Sequence, residues 1–241
     1  ALKGDFGTSY SYKMPVSSML AGKLPVTGLL TGMSFVLILA FSIPLGIFTA
    51  RHAGGRLDRA MTAVNQVLMA IPAFVTGILL TYVFGLVLRW FVPGNYVSPG
   101  DNFGASLWYF LFPAVSIALP RVAMTVKMLR SSILSELQKD YVRTSHSRGN
   151  SDRATLYRHV LRNAMGPVVS FLAMTVADIV AGSVVIEQVF SLPGLGRMLL
   201  TSIANRDYPV VLAGVVIVAC WVVLVNLLAV RINQRRDPRL R

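Results

Sequence analysis

Residues 208–230 read YPVVLAGVVIVACWVVLVNLLAV, which is 23 positions without one charged side chain. A helix needs about 20 largely apolar residues to cross the hydrocarbon core of a bilayer. Two further stretches are equally free of charge, with 25 residues at 26–50 and 28 at 61–88. Two weaker ones carry charge: 105–130 contains Arg121, Lys127 and Arg130, and 164–186 is interrupted only by Asp178. The sequence therefore predicts an all-α membrane protein with five spans.

The composition supports this class and excludes others. The 241-residue chain is 54% hydrophobic and 14% charged, whereas soluble domains average about 25% charged residues. A soluble globular domain, a disordered chain and a secreted disulfide scaffold are therefore excluded, the last because Cys220 is the single cysteine. Around the spanning part, 26–233, we expect an external segment at 1–25 and a cytoplasmic tail at 234–241.

The positive charges orient the spans. The net charge is +13, and the segments 51–59, 121–162 and 231–241 carry three, nine and five basic residues on one side of the predicted bilayer, against six on the other. Basic residues concentrate on the cytoplasmic side. The sequence therefore predicts an external N-terminus and a cytoplasmic C-terminus, and topology explains the charge without nucleic-acid binding.

The longest polar stretch separates the apolar parts of the third and fourth spans. Residues 131–147 have a helical pattern, Gly149 interrupts it, and Ser151 followed by Asp152 is a typical helix start. A second basic helix is expected at 153–163, running toward Pro167. Two helices meeting at a glycine corner suit docking to another protein; the alternative is a solvated, positively charged loop.

Polar residues elsewhere suggest two further sites. Asp178 lies inside a predicted span, where an ionisable side chain is costly and suggests a functional site. It could face a solute pathway, pair with a partner subunit's cation or face a water-filled cavity. Asn226 is a weaker pathway candidate, and a helix–helix hydrogen bond is the alternative. We treat both as pathway candidates.

The external loop 187–208 contains the turn-rich run SLPGLG at 191–196. It is either an outer gate, a contact for an external protein, or a packed re-entrant turn. The candidate gate residues are Glu187, Pro193, Gly194, Gly196 and Arg197.

Several chemistries find no support in the sequence. No phosphate-binding Gly-x-x-x-x-Gly-Lys-Ser/Thr motif occurs, so energy from ATP would come from a partner. His52, His146 and His159 are far apart and lack metal-ligand spacing. No Ser/His/Asp arrangement can be defended. We therefore predict neither an enzyme nor a metal site.

Two runs resemble a known family. DYVRTSHSRG at 140–149 and RHVLRNA at 158–164 resemble the cytoplasmic signature loop of ABC importer permeases, most closely the dipeptide/oligopeptide/nickel class. Arg143 begins the run that stands at the Glu-Ala-Ala positions, and Gly149 and Leu161 match the family glycine and leucine. His159 and Arg162 depart from the broad pattern in the way usual for the peptide class.

The resemblance extends along nearly the whole chain. Runs in the expected order are GDFGTS at 4–9, IPLG at 43–46, EQVFSLPGLGR at 187–197, NRDYPV at 205–210 and DPR at 237–239. Such permeases usually begin with one more transmembrane helix. The resemblance therefore implies the core of a six-helix type I permease whose first helix is missing from this chain.

The family implies partners and a mechanism. Two homologous permease subunits form the pathway in a bacterial inner membrane, two ATPase subunits bind ATP and Mg²⁺, and an external solute-binding protein delivers the substrate. The loop at 131–163 would act as a coupling helix on the ATPase. The expected contact residues are Arg143, Thr144, Ser145, His146, Ser147, Arg148, Gly149, Asn150, Ser151 and Asp152.

The resemblance leaves the substrate open among dipeptides, oligopeptides, glutathione-like peptides and nickel complexes. From the residues alone, two other classes compete. A secondary transporter or channel would use Asp178 as a proton or ion site, and a membrane scaffold would move no solute. A self-sufficient carrier needs no docking elbow, so the segment 131–163 speaks against the first.

Overall fold

The computed structural model describes residues 5–236, except the side chains at 232, 233, 235 and 236. Apart from one isolated antiparallel bridge between Thr8 and Pro15, the regular structure in 5–236 is helical, and the predicted all-α class is confirmed. The α-helices are α1 (Val16–Arg51), α2 (Arg56–Ala70), α3 (Ala73–Leu80), α4 (Phe103–Leu137), α5 (Asp140–Ser147), α6 (Asp152–Thr155), α7 (Leu161–Val189), α8 (Leu195–Ala204) and α9 (Tyr208–Arg236). Two π-helical segments, π1 (Thr81–Val87) and π2 (Leu156–Val160), follow α3 and α6.

Four helical stretches in 5–236 are long and apolar enough to cross a membrane, and the pair α2 and α3–π1 raises the number to five if it forms one span. That pair bends by 93°, so the stretch predicted at 61–88 is not one straight helix. Pro72 explains the break, because proline lacks an N–H and disfavours helical geometry in the preceding residue. Pro72 itself has an extended backbone, with ψ 142°, and is the N-cap residue of α3.

Helix α1 begins at Val16, ten residues before the apolar stretch predicted at 26–50. Lys23 ends the uncharged run but not the helix, since lysine is a good helix former. Helical structure therefore begins earlier within 1–25, the segment predicted to be external, than hydropathy alone indicates.

The segment between the third and fourth spans also differs in detail. A single helix over 131–147 is wrong, because α4 ends at Leu137 and Lys139 is extended, with ψ 150°, before α5 begins. On the other side of Gly149, helical structure runs from α6 through π2 into α7. Pro167 lies inside α7 and does not end it.

The chain forms two compact units. The first comprises Ala1–Leu37, Ile71–Ala118 and Val176–Leu224. Its core includes an apolar cluster between the start of α1, α8 and the start of α9, and a group of stacked and edge-on aromatic rings. The cluster contains Val16, Leu20, Leu195, Met198, Val210 and Ala213, and the ring group includes Phe91, Phe112, Tyr109 and Phe190.

The second unit comprises Ile38–Ala70, Leu119–Thr175 and Val225–Arg241. Fully buried side chains in it include Leu129 and Ile133 of α4, Val160 of π2 and Val168 of α7. Helix α1 approaches α4 closely, since a Cβ at Gly46 would lie 2.7 Å from Leu129 Cδ2.

Large apolar side chains remain exposed along α9. Only 22% of the most apolar 18-residue stretch of α9 is buried. The exposed side chains of this helix include Leu212, Val216, Leu224 and Leu228. A soluble protein rarely exposes so continuous an apolar surface. These side chains suit lipid or a partner helix.

Candidate functional site

The corner between α5 and α6 is built on Gly149, whose φ is +80°. Its N–H donates to the His146 carbonyl at 2.9 Å, and the N–H of Asn150 donates to the Ser145 carbonyl at 3.3 Å. This pair of bonds is the Schellman motif, which ends a helix on a left-handed residue. The left-handed conformation favours glycine, because a Cβ is strained there. The glycine corner predicted from sequence is therefore present.

Hydrogen bonds inside the elbow, defined here as residues 140–160, hold its two arms together. Ser145 Oγ and Thr155 Oγ1 lie 2.9 Å apart and both residues are buried. Asn150 Nδ2 donates to the same Ser145 Oγ at 3.1 Å. Ser151 caps α6 as predicted, with its Oγ accepting from the Ala154 N–H at 3.3 Å. The elbow is thus a cross-linked corner and not a loose loop.

The expected contact residues are mostly on the outside of this corner. Ser145 is buried and plays the internal role just described, whereas the other nine residues of 143–152 are exposed. His146 Nε2 lies 3.1 Å from Asp152 Oδ1 across the turn. Arg143, Arg148 and Arg153 form no ion pair with any residue in 5–236. The elbow therefore presents unneutralised positive charge.

The pathway candidates are exposed on the surface of the chain. Asp178 lies on α7 and Asn226 on α9, and neither side chain has a hydrogen-bond or ion-pair partner within the described residues. An ionisable side chain facing lipid at mid-span is costly. An exposed Asp178 is therefore compatible with an aqueous pathway or with a contact to another subunit.

The candidate gate residues meet at the start of α8. Glu187, at the end of α7, is fully buried. Its Oε1 accepts from Thr27 Oγ1 at 2.6 Å, and its Oε2 accepts from the Arg197 N–H at 2.9 Å. Thr27 Oγ1 in turn accepts from the Leu195 N–H at 2.9 Å. The carboxyl group and the threonine thus satisfy free N–H groups of the first turn of α8.

Two glycines make this approach possible. A Cβ at Gly194 would overlap the Glu187 carboxyl group, and one at Gly196 would lie 2.5 Å from Val184 Cα. The loop predicted over 187–208 therefore contains a packed helix, which sequence reasoning missed. We call this arrangement of Glu187, Thr27 and the start of α8 the α8 clasp.

Sequence reasoning also missed a buried ion pair. Asp58 is 4% exposed and accepts from Arg130 Nε at 2.7 Å and from Arg130 Nη2 at 2.6 Å. The Gly54 N–H donates to the same carboxylate at 2.9 Å. The pair joins the start of α2 to α4. The available signal was that Asp58 is the one acid in the otherwise basic segment 51–59.

A second buried carboxylate, Asp207, precedes α9 and is fully buried. It accepts hydrogen bonds from the Ser9 hydroxyl, from the Tyr10 N–H at 3.0 Å and from the Ser11 N–H at 3.3 Å. Burial opposes ionisation, but these bonds outweigh it and hold the pKa of Asp207 below its usual value. Asp207 therefore ties the segment before α1 to the start of α9. The Asp5 end of that segment is described, whereas Gly4 and the run at 237–239 lie outside the described residues.

Comparisons with known proteins agree with this architecture. The family described as binding-protein-dependent transport system inner membrane component matches residues 42–241. The oligopeptide transport system permease protein AppB of Bacillus subtilis is 36% identical over 242 residues, covering 99% of this chain and 77% of that protein. The glutathione transport system permease protein GsiC of Pectobacterium atrosepticum is 32% identical, covering 100% and 76%.

Solved structures share the fold. An inward-facing form of the methionine ABC transporter MetNI superposes with a TM-score of 0.72 at 17% identity, covering 91% of this chain and 96% of that one. An amino acid ABC transporter superposes with a TM-score of 0.64 at 15% identity, covering 91% and 94%. On the matched family and these relatives, the chain belongs to the binding-protein-dependent transport system inner membrane components, the permeases of ABC importers.

Proposed function

We propose that this permease carries peptides, forming half of the pathway of an ATP-driven importer. The observation that carries the proposal is the elbow, a cross-linked, positively charged corner between two membrane-spanning helices. The relatives named for oligopeptide and glutathione transport, and a probable peptide permease of Sinorhizobium fredii at 33% identity, support peptides over nickel complexes.

The elbow would couple the spans to an ATPase. Helical structure runs without a break from α6 through π2 into α7, so a push on the corner can move that span as a rigid body. On the other arm, extended Lys139 links α5 to α4. The exposed residues of 143–152 would form the contact, and Ser145 would hold its shape from inside. ATP and Mg²⁺ would bind on the ATPase, which leaves this subunit without a catalytic role.

The proposed topology follows from the charges. The elbow, the turn at 51–59 and the tail from 231 onward would face the cytoplasm, and the α8 clasp and Asp207 would lie on the external side. An external solute-binding protein would deliver the peptide on that side.

Asp178 would face the pathway or the second permease subunit. On α7 it shares an exposed stripe with Ala181, Val185 and Gln188, at spacings of three and four residues. A stripe with a carboxylate and an amide is poorly suited to lipid, and a carboxylate can bind a peptide's terminal ammonium. Asn226, exposed on α9, is the second candidate for a place on an aqueous pathway.

The α8 clasp would serve as an outer gate. A buried carboxyl group without a cationic partner in the described chain accepts from the Thr27 hydroxyl at 2.6 Å and the Arg197 N–H at 2.9 Å, and more weakly from the Ser183 hydroxyl at 3.4 Å. Movement of α7 away from both α1 and α8 would break these bonds together, so the clasp can have two discrete states. Pro193 and Gly194 set the turn that precedes α8.

Co-purification tests the proposal. The complete protein is expressed with its neighbouring genes and extracted in mild detergent, and the mass and subunit composition of the purified complex are measured. We expect one further permease subunit and two ATPase subunits. A chain that purifies alone and transports solute in liposomes would contradict the proposal and favour a secondary transporter that uses Asp178.

A further inference from the structure

The elbow has an open cavity on its surface that the coupling role does not require. It has a volume of about 250 Å³ and lies between α5 and π2. Its lining consists of Tyr141, Thr144, Ser145, Arg148, Asn150 and His159. All six side chains can form hydrogen bonds, and none is a carboxylate.

The hydrogen-bond donors of the lining are only partly used. The Tyr141 hydroxyl donates to Glu136 Oε2 at 2.8 Å, and Thr144 Oγ1 donates to the Asp140 carbonyl at 3.2 Å. Arg148 and His159 form no side-chain hydrogen bond or ion pair within 5–236. A guanidinium and an imidazole therefore border the cavity with their donors free.

The shape of the cavity is fixed before anything binds. The bond between Ser145 and Thr155 joins its two walls, and Asn150 is held by Ser145 Oγ. Burial raises the pKa of the Tyr141 phenol, so the phenol keeps its proton and donates it in the hydrogen bond to Glu136. Preformed walls reduce the entropy that binding must overcome.

We propose that this cavity receives a carboxylate side chain of the ATPase, held by Arg148 and His159. This inference rests on the proposed function, because it names the chemistry of the partner at the elbow. A guanidinium fork matches a carboxylate in geometry and charge. A phospholipid headgroup has similar chemistry but brings acyl chains, and no apolar side chain lines the cavity.

The test uses the complete permease pair in nanodiscs and the purified ATPase. Arg148→Ala weakens ATPase binding about tenfold, which corresponds to about 1.4 kcal/mol. Arg148→Lys retains part of the affinity, since lysine keeps the charge and loses the fork. The matched control is Arg158→Ala, an exposed arginine of π2 that does not line the cavity. It keeps wild-type affinity.

Salt dependence and lipid binding complete the experiment. The difference between wild type and Arg148→Ala shrinks as salt rises, because charge pairing is screened. Equal affinity of Arg148→Ala and Arg158→Ala would overturn the inference. The inference would also be overturned if Arg148→Ala lost only binding to vesicles that contain anionic phosphatidylglycerol and kept its ATPase affinity. If the wild-type pair binds no ATPase at all, the proposed function fails first.

Discussion

Replacing Gly149 with alanine isolates the backbone strain of the elbow. The φ of Gly149 is +80°, and a Cβ there would meet no atom within 4 Å. The substitution therefore adds no clash, and its cost is the strain of a left-handed residue, about 1–2 kcal/mol. A strain of about 1.4 kcal/mol changes the population of the correct corner about tenfold relative to a relaxed alternative.

The consequence is a loss of coupling. If the backbone relaxes, the bonds from Gly149 to His146 and from Asn150 to Ser145 are lost, and α5 and α6 change direction. We expect Gly149→Ala to lower ATP hydrolysis stimulated by the loaded binding protein several-fold in nanodiscs. Gly149→Asn should remain close to wild type, because asparagine tolerates left-handed geometry. Gly149→Val should be the most impaired, because branching at Cβ adds strain.

Gly54 provides a matched control. It also has φ +80° and open space around its Cα, but it lies in the turn between α1 and α2. Gly54→Ala should lower thermal stability as much as Gly149→Ala while leaving stimulated hydrolysis unchanged. Equal hydrolysis by the two alanine variants would refute the reasoning, as would a Gly149→Asn variant no better than Gly149→Val.

Three further predictions concern stability, measured by thermal unfolding in detergent. Arg130→Met leaves Asp58 buried without its partner and should lower the free energy of unfolding by about 2 kcal/mol. Breaking a fully buried pair costs roughly 3–5 kcal/mol, but the Arg130 side chain is 29% exposed. An unchanged melting temperature would contradict this prediction. Gly194→Ala forces a Cβ into a buried carboxyl group and should cost about 1–3 kcal/mol, whereas Gly28→Ala, with open space, should cost nothing. Folding lowers the pKa of Asp207 from 3.8. The ionised carboxylate therefore stabilises the fold fully above that pH, and the stabilisation declines as the pH falls toward the lower pKa of the folded state. The stability advantage of wild type over Asp207→Asn should be constant from pH 5 to 7 and shrink below about 4.

The membrane class and the elbow were predictable because both rest on local signals. Uncharged length decides a span, and the sequence from Gly149 to Asp152 contains a left-handed corner, an N-cap and a favourable first-turn acid. These features depend on neighbours in sequence, so no tertiary information is needed. The family could also be identified from the sequence, because its motifs follow one another in the expected order.

The clasp and the ion pair were not predictable because they join distant residues. Thr27 and Glu187 are 160 positions apart, and Asp58 and Arg130 are 72 apart. Glu187 was expected in an external gate loop, but nothing in the sequence indicates that its carboxyl group would satisfy the start of α8. The 93° bend at Pro72 shows the same limit, because proline predicts a break while the angle depends on packing.

The most direct test of the coupling account is peptide uptake by the reconstituted transporter. Proteoliposomes would contain the permease pair with or without its ATPases, with external binding protein and a labelled oligopeptide. We expect uptake to require both the ATPases and internal ATP. Gly149→Ala should reduce this uptake although the same amount of protein is reconstituted. Uptake by the permease alone, driven by a proton gradient and abolished by Asp178→Asn, would contradict the coupling account.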